Sequence, residues 1–195
     1  MCNSACENFI KDNLTAFEVF DKSVLEVGSK NVNGTVRHDV MLLRPKEYIG
    51  VDIEAGDGVD EIVNAYDLVK HFGEERFDIV ISTEMVEHVQ DWVKVFDNMK
   101  RVLKPNGILL ITTRDKNSAL HSYPIDCWRY EEDDFIEIFK DFESVTTSKD
   151  SMSNDGTFVR AVKPVGWTQS FDMSNIHLLN IITKQREPVY KNLEK

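Results

Sequence analysis

The chain is short of positive charge: 23 Lys and Arg stand against 34 Asp and Glu in 195 residues, a formal net charge of −11. Such a balance repels nucleic acid and anionic membranes unless a basic patch overrides it. The densest basic cluster, Lys100, Arg101 and Lys104, reads as the solvated face of a helix. Cysteine is scarce too. Cys2, Cys6 and Cys127 form no C-x-x-C pair, and an odd count fits free thiols in a reducing compartment. The N-terminus lacks an apolar run of signal length, so the expected location is cytoplasmic. Repeats and low-complexity tracts are missing. With 42% hydrophobic residues and a length below that at which cores usually split, the composition suits one soluble domain.

The most informative stretch is VLEVGSKNVNG followed by EYIGVDIEAGDGVDE. Residues 24–27 form a short β-branched apolar run, the pattern of a buried parallel strand, and Gly28 ends it. A helical pattern spans residues 35–43, so the amides around Ser29 to Gly34 would face a polar ligand at a helix N-terminus. The next strand, residues 48–51, ends at Asp52, roughly 24 residues past Gly28, where a doubly wound sheet places a carboxylate for ribose hydroxyls. The turn lacks the middle glycine that lets a pyrophosphate approach, and Glu26 repels phosphate but suits an ammonium. S-adenosylmethionine therefore fits better than a dinucleotide: ribose on Asp52, amino group near Glu26, carboxylate near the helix N-terminus.

Further on, FDIVISTEMVEHV and WVKVFDNMKRVLKPNGILLITT resemble the fourth strand, helix and fifth strand of class I S-adenosylmethionine-dependent methyltransferases. The linked pieces EMVEHV and RVLKPNG are the specific part, and the resemblance covers about residues 22–163. Together with EVGSKNVNGTVR, YIGVDIEAGDGVD and DCWRY, they are similar to small bacterial and archaeal methyltransferase-domain proteins, type 11-like. The resemblance implies an α/β, Rossmann-like, doubly wound and mostly parallel sheet with a terminal antiparallel strand pair. Two positions depart from the family: the three-glycine turn is missing, and Asn64 stands where an Asp often contacts the adenine amino group.

Three segments are expected: an N-terminal amphipathic helix in 1–21 with Ile10, Leu14 and Phe17 on one face, a methyltransferase domain at 22–165, and a tail at 166–195. Residues 176–182 are apolar enough for a helix that docks on the core or joins two copies into a homodimer. Between them the pattern predicts a short strand at 61–64, helices at 66–72, 91–103 and 131–140, strands at 77–82 and 108–113, and an antiparallel pair at 142–148 and 158–163.

Ligands of open parallel sheets sit beyond the strands' carboxyl ends. The expected cofactor contacts there are Glu26, Gly28, Ser29, Gly34, Asp52, Ile53, Asn64, Ala65, Tyr66, Ser82 and Glu84. Asn64 can pair with adenine through its amide oxygen, and Ile53 and Tyr66 supply apolar faces. The acceptor side is expected from the loop between Arg114 and Tyr130, about 17 residues, longer than structural connections usually are. It carries His121, Tyr123, Asp126, Cys127, Trp128 and Arg129. His121 and then Asp126 are the candidate bases; the alternative is that Asp126 and Arg129 hold the loop's shape as a pair.

Glu84, Glu87 and His88 fall at i, i+3 and i+4, on one face of a helix beginning near Thr83. With His121 the set resembles the divalent-ion site of methyltransferases acting on small-RNA ribose hydroxyls and on ubiquinone precursors. The favoured expectation is transfer without a metal, Glu84 facing the cofactor and His121 more than about 6 Å from both carboxylates, beyond shared coordination. The sequence thus points to methyl transfer from S-adenosylmethionine to a small molecule, at oxygen first and nitrogen next. A nicotinamide-dependent oxidoreductase and a non-catalytic methyltransferase-like binding module are the alternatives. Base-amino and cytosine methylation are disfavoured: no N/D-P-P-Y follows the fourth strand, and no proline precedes Cys127.

Overall fold

The structure, a computed structural model, describes residues 3–121, 125–169 and 171–190. Cys2 and Tyr123 lie outside the described residues. In chain order the elements are α1 (Ser4–Asn13), α2 (Ala16–Val19), β1 (Ser23–Val27), α3 (Arg37–Leu42), β2 (Glu47–Asp52), β3 (Glu61–Ile62), α4 (Leu68–Phe72) and β4 (Phe77–Thr83). They continue with α5 (Trp92–Val102), β5 (Leu103–Arg114), β6 (Trp128–Arg129), α6 (Glu132–Ile138), β7 (Ser144–Lys149), β8 (Gly156–Val162), β9 (Leu178–Asn180) and β10 (Arg186–Glu187).

Seven strands form one sheet in the order β3-β2-β1-β4-β5-β8-β7. Pairing is parallel from β3 to β5, and β8 runs antiparallel to both β5 and β7. Strand order reverses between β1 and β4, so their carboxyl ends diverge there into a crevice. β1 is buried along its whole length because helices cover both faces. Leu25 and Val27 join Val80, Leu109 and the α5 residues Trp92, Phe96 and Met99 in one core. Val24, Ile79, Ile81 and Leu110 face the other way, against Phe9 and Ile10 of α1, Val19 and Val40. On α5 the spacing of Trp92, Val95, Phe96, Met99 and Val102 makes a single inward stripe. Each such side chain contributes about 1.5–3 kcal/mol by leaving water, and Asp91 caps the helix by accepting from Lys94 N at 3.1 Å.

Two expectations fail here. The single N-terminal helix is two: Thr15 caps α2 in a capping box with Glu18, which restarts the helix and turns Phe17 outward. Ile10 and Leu14 are buried as expected, whereas Phe17 is 91% exposed. The tail forms no helix over 176–182; it contains β9, which with β10 and β6 makes a three-stranded antiparallel sheet. Ile176, Leu178 and Asn180 are buried in alternation, a strand's period of two.

Candidate functional site

At the carboxyl ends of β1, β2 and β4 lies a cavity of about 280 Å³. Of the expected cofactor residues, Gly28, Asp52, Ile53, Asn64, Ala65, Tyr66 and Glu84 line it. Sequence reasoning did not single out Lys30, Val32, Glu54, Met85, Val89 or Ile125 as cofactor contacts, yet they line it as well. Position next to an expected contact was the only signal for most of them. Gly28 has φ +80°, and a Cβ there would stand 2.5 Å from Met85 Cγ. Glycine is therefore required by both the turn and the close approach.

Asp52 ends β2 and lines the cavity. Its carboxylate is steadied by Lys30 N and Glu54 N, which donate to the two oxygens at 3.2 Å each, and both oxygens retain acceptor capacity. Asn64 uses its amide oxygen, the atom expected to pair with adenine, locally: it accepts from Tyr66 N at 3.0 Å. Tyr66 is fixed in turn: its hydroxyl accepts from Asp91 N at 3.1 Å, and Lys94 Nζ lies 5.4 Å from its ring centroid.

Four expected cofactor contacts lie outside this lining. Glu26 points to the other side of the sheet, where it accepts from the Tyr48 hydroxyl at 2.7 Å. Alternation along β1 puts it on the face opposite Leu25 and Val27. Burial pushes its carboxyl up to about 7, against the Tyr48 hydrogen bond and Arg37. Ser29 N donates to Val51 O at 3.0 Å, Gly34 N donates to Asn31 Oδ1 at 3.0 Å, and Ser82 Oγ donates to Val27 O at 3.0 Å. These three shape the strand ends rather than the cavity wall.

Glu84 turns into the cavity from a left-handed backbone conformation, φ +53°, just past β4. Non-glycine residues held there are strained and concentrate at functional positions. Its buried carboxylate meets Arg114 Nε at 2.5 Å and lies 3.5 Å from Cys6 Sγ. Burial, then Glu87 and Cys6, push the Glu84 carboxyl well above its ordinary value, opposed by Arg114.

The helix expected from Thr83 is absent; residues Val86–His88 form one 3₁₀ turn. That separates Glu84 from its expected neighbours and gathers a different set. Ligand atoms of Glu87, His88 and His121 lie within 4.8 Å of one another, so the expected separation of His121 from both carboxylates does not hold. Ile125 O lies 2.5 Å from His88 Nδ1; a carbonyl only accepts, so Nδ1 carries a proton, while Nε2 lies 3.8 Å from Glu87 Oε1. Asp126 Oδ2 likewise takes His121 Nδ1, at 3.2 Å. Glu87 is fully buried, with Thr113 Oγ1 donating to Oε2 at 2.8 Å and no hydrogen bond to Oε1 among the described residues. One oxygen and two ring nitrogens are thus aimed together, each with its other side tied down, a donor set that fits a divalent ion.

Asp126 is a clamp, not a base. Arg129 grips both of its oxygens at 2.6 and 2.7 Å, and His121 N adds a third bond at 2.9 Å. Burial works to raise the Asp126 carboxyl, but these partners outweigh it and hold it far below the ordinary range. His121 goes the other way: its Asp126 hydrogen bond raises its pKa against burial, helped by Glu87. Cys127 is a buried free thiol pushed up to about 12, mainly by burial, so it is inert at neutral pH.

A sheet with this reversal and one antiparallel strand near its edge defines the class I methyltransferase fold. The chain belongs to the methyltransferase-domain family, whose model matches residues 5–146. Among curated proteins, a ubiquinone biosynthesis O-methyltransferase of Photobacterium profundum is 24% identical over 131 residues, 60% of this chain and 54% of that protein. The chain spans about half the length of the curated relatives it matches. Among solved structures, the [4+2]-cyclase SpnF superposes with TM-score 0.64 at 14% identity, covering 82% of this chain and 81% of that one. The Burkholderia thailandensis 1,6-didemethyltoxoflavin-N1-methyltransferase, with bound S-adenosylhomocysteine, gives TM-score 0.62 at 14% identity, covering 83% and 79%. At such identities the structural likeness speaks for the fold alone.

Proposed function

We propose that this protein transfers the methyl group of S-adenosylmethionine to a hydroxyl of a small molecule, with nitrogen as the second acceptor class. The observation that carries this is Asp52 at the end of β2, in one cavity with Asn64, Tyr66 and Glu84. Asp52 receives the ribose hydroxyls, Asn64 and Tyr66 the adenine, and Glu84 the amino group, a role expected of Glu26. The sulfonium is already activated, so the protein has to hold the acceptor in line and accept its proton. His121 Nε2 takes that proton as the acceptor oxygen bonds to the methyl carbon and the S–C bond breaks. Asp126 and Glu87 stabilise the resulting imidazolium. A nearby curated relative is named an O-methyltransferase, which supports oxygen as the acceptor.

Glu87 Oε1, 3.8 Å from His88 Nε2 and without a hydrogen bond among the described residues, favours a second reading in which Glu87, His88 and His121 hold a divalent ion. A bound ion supplies Lewis acidity that lowers the pKa of a coordinated hydroxyl. The chain's contribution is then orientation: Thr113, Ile125 and Asp126 fix the three donors.

Ligand-dependent melting tests the cofactor. S-adenosylhomocysteine at about 100 times its dissociation constant should stabilise the protein by about 2.7 kcal/mol, with NADH giving no shift. The reverse pattern would point to an oxidoreductase. Incubation with methyl-labelled S-adenosylmethionine and panels of phenols, sugars and amines then identifies the acceptor. Cofactor binding without label transfer across all panels would support a binding module instead. Among the described residues no helix is long and apolar enough to cross a membrane.

A further inference from the structure

The family match ends at residue 146, yet the residues beyond it return to the acceptor side. β6 pairs with β9 alone among the described strands, Trp128 opposite Asn180 and Arg129 opposite Leu179. Ile181 N extends the pairing by donating to Cys127 O at 3.0 Å. Inside the β9–β10 hairpin, buried Asn180 accepts from Ile182 N and Thr183 N at 2.8 and 3.2 Å and donates to Glu187 at 2.9 Å. Arg186 fastens the hairpin to α6, donating to Asp134 and Glu131 at 2.6 and 2.7 Å.

What this hairpin supports is a strand of two residues, too short to hold its own geometry. Arg129, fully buried, projects from it. Besides its fork on Asp126, its guanidinium donates to Ser118 O, Ala119 O and Trp128 O at 3.3, 2.8 and 2.8 Å. It therefore joins the start of the acceptor loop to its end. Asp126, so gripped, takes both the backbone N and the ring Nδ1 of His121.

We infer that the β9–β10 hairpin is a positioning element of the reaction: by fixing β6 and Arg129 it sets Asp126, and through Asp126 the orientation and tautomer of His121. Arg129 and Asn180 are positioning residues in this chain. The consequence for the proton acceptor rests on the assignment of His121 as the base; the geometric dependence of His121 on the hairpin does not. A bidentate arginine–carboxylate pair demands angular accuracy, and groups that accept protons need supporting partners that lock their rotamers. The charged and titratable groups facing His121 are Asp126, Glu87, Arg129 and His88, of which Arg129, and through it Asp126, depend on the hairpin for their place.

The test uses the full chain carrying Asn180→Ala, and separately Arg186→Ala, which acts at the protein surface and keeps the test usable if Asn180→Ala does not fold. At one fixed pH the tautomer and order of the His121 ring are followed by its long-range proton–nitrogen correlations, with His121→Gln identifying the signal. S-adenosylhomocysteine affinity is measured by calorimetry. The expected result is loss of the single Nδ1-protonated pattern of His121 in the variant, with cofactor affinity within about twofold of the parent, since no cavity-lining residue is changed. An unchanged His121 pattern, while amide exchange shows the hairpin released, overturns the proposal. If the pattern changes but His121→Gln retains the parent's transfer rate, the hairpin's role stands and the assignment of His121 as base fails.

Discussion

His121 lies edge-on to His88, with ring centroids 4.9 Å apart and planes at 83°. Each ring is held through Nδ1, one by a carboxylate and the other by a backbone carbonyl. Both rings lie beside buried Glu87, next to a cavity that His88 also lines. The pair thus couples the acceptor loop to the cofactor wall.

Loss of His121 should cost transfer far more than it costs folding. His121→Gln is expected to lower the rate by about 10²–10⁴-fold, the usual worth of a positioned base. Because Asp126 raises the pKa of His121, the neutral form needed for proton uptake is reached only above the ordinary histidine value. Rate at saturating cofactor should therefore rise with pH through that elevated midpoint. The linked stability has the opposite sense: it is fully present below the unfolded-state pKa and is lost as pH rises through the folded one. A flat rate profile between pH 6 and 9, on a scale set by ordinary histidine near 6.5, would remove His121 from the role of base.

Asp52→Ala should weaken S-adenosylhomocysteine binding at least about tenfold, because charge-assisted bonds to ribose hydroxyls are worth about 1.5–3 kcal/mol each. Calorimetry on a variant with unaltered circular dichroism measures it. Equal affinity in both proteins would place the ribose elsewhere.

Chelation separates the two readings of the Glu87, His88 and His121 cluster. Transfer is expected to survive EDTA, with His121 as the base. A rate that collapses on chelation, returns with Mn²⁺ and is missing in Glu87→Ala would select the ion-assisted route instead.

Glu26→Gln should flatten part of the stability profile. Burial raises the Glu26 pKa to about 7, above its unfolded value, so the stabilisation is complete below the unfolded pKa and fades as pH rises through about 7. Gln can still accept from the Tyr48 hydroxyl without carrying charge. Urea unfolding of the two proteins between pH 4 and 8, a range spanning roughly the free and raised carboxyl values, reads the difference. Parallel profiles would mean that the Glu26 carboxyl has the same pKa folded and unfolded, so that burial does not raise it.

The sequence by itself determined the order and class of the strands and helices around the sheet. Val24, Leu25 and Val27, the α5 stripe and the residues before the final strand pair are patterns of period and burial that depend on neighbours along the chain. It also determined Asp52, because a carboxylate at the end of a second parallel strand has its position fixed by the strand. Only the tertiary structure decided which way short segments turn. Glu26 faces Tyr48 because strand alternation outweighs the chemistry a ligand would have preferred, and Phe17 is exposed because Thr15 restarts the helix. Glu84 leaves the acidic face of EMVEHV because the backbone there takes a left-handed residue and a 3₁₀ turn in place of an α-helix. Asp126 became a clamp through Arg129, and the tail became β9 and β10 through pairing with β6. The pairing of β9 with β6 and of Glu26 with Tyr48 joins segments distant in sequence, whose free energies no local pattern contains.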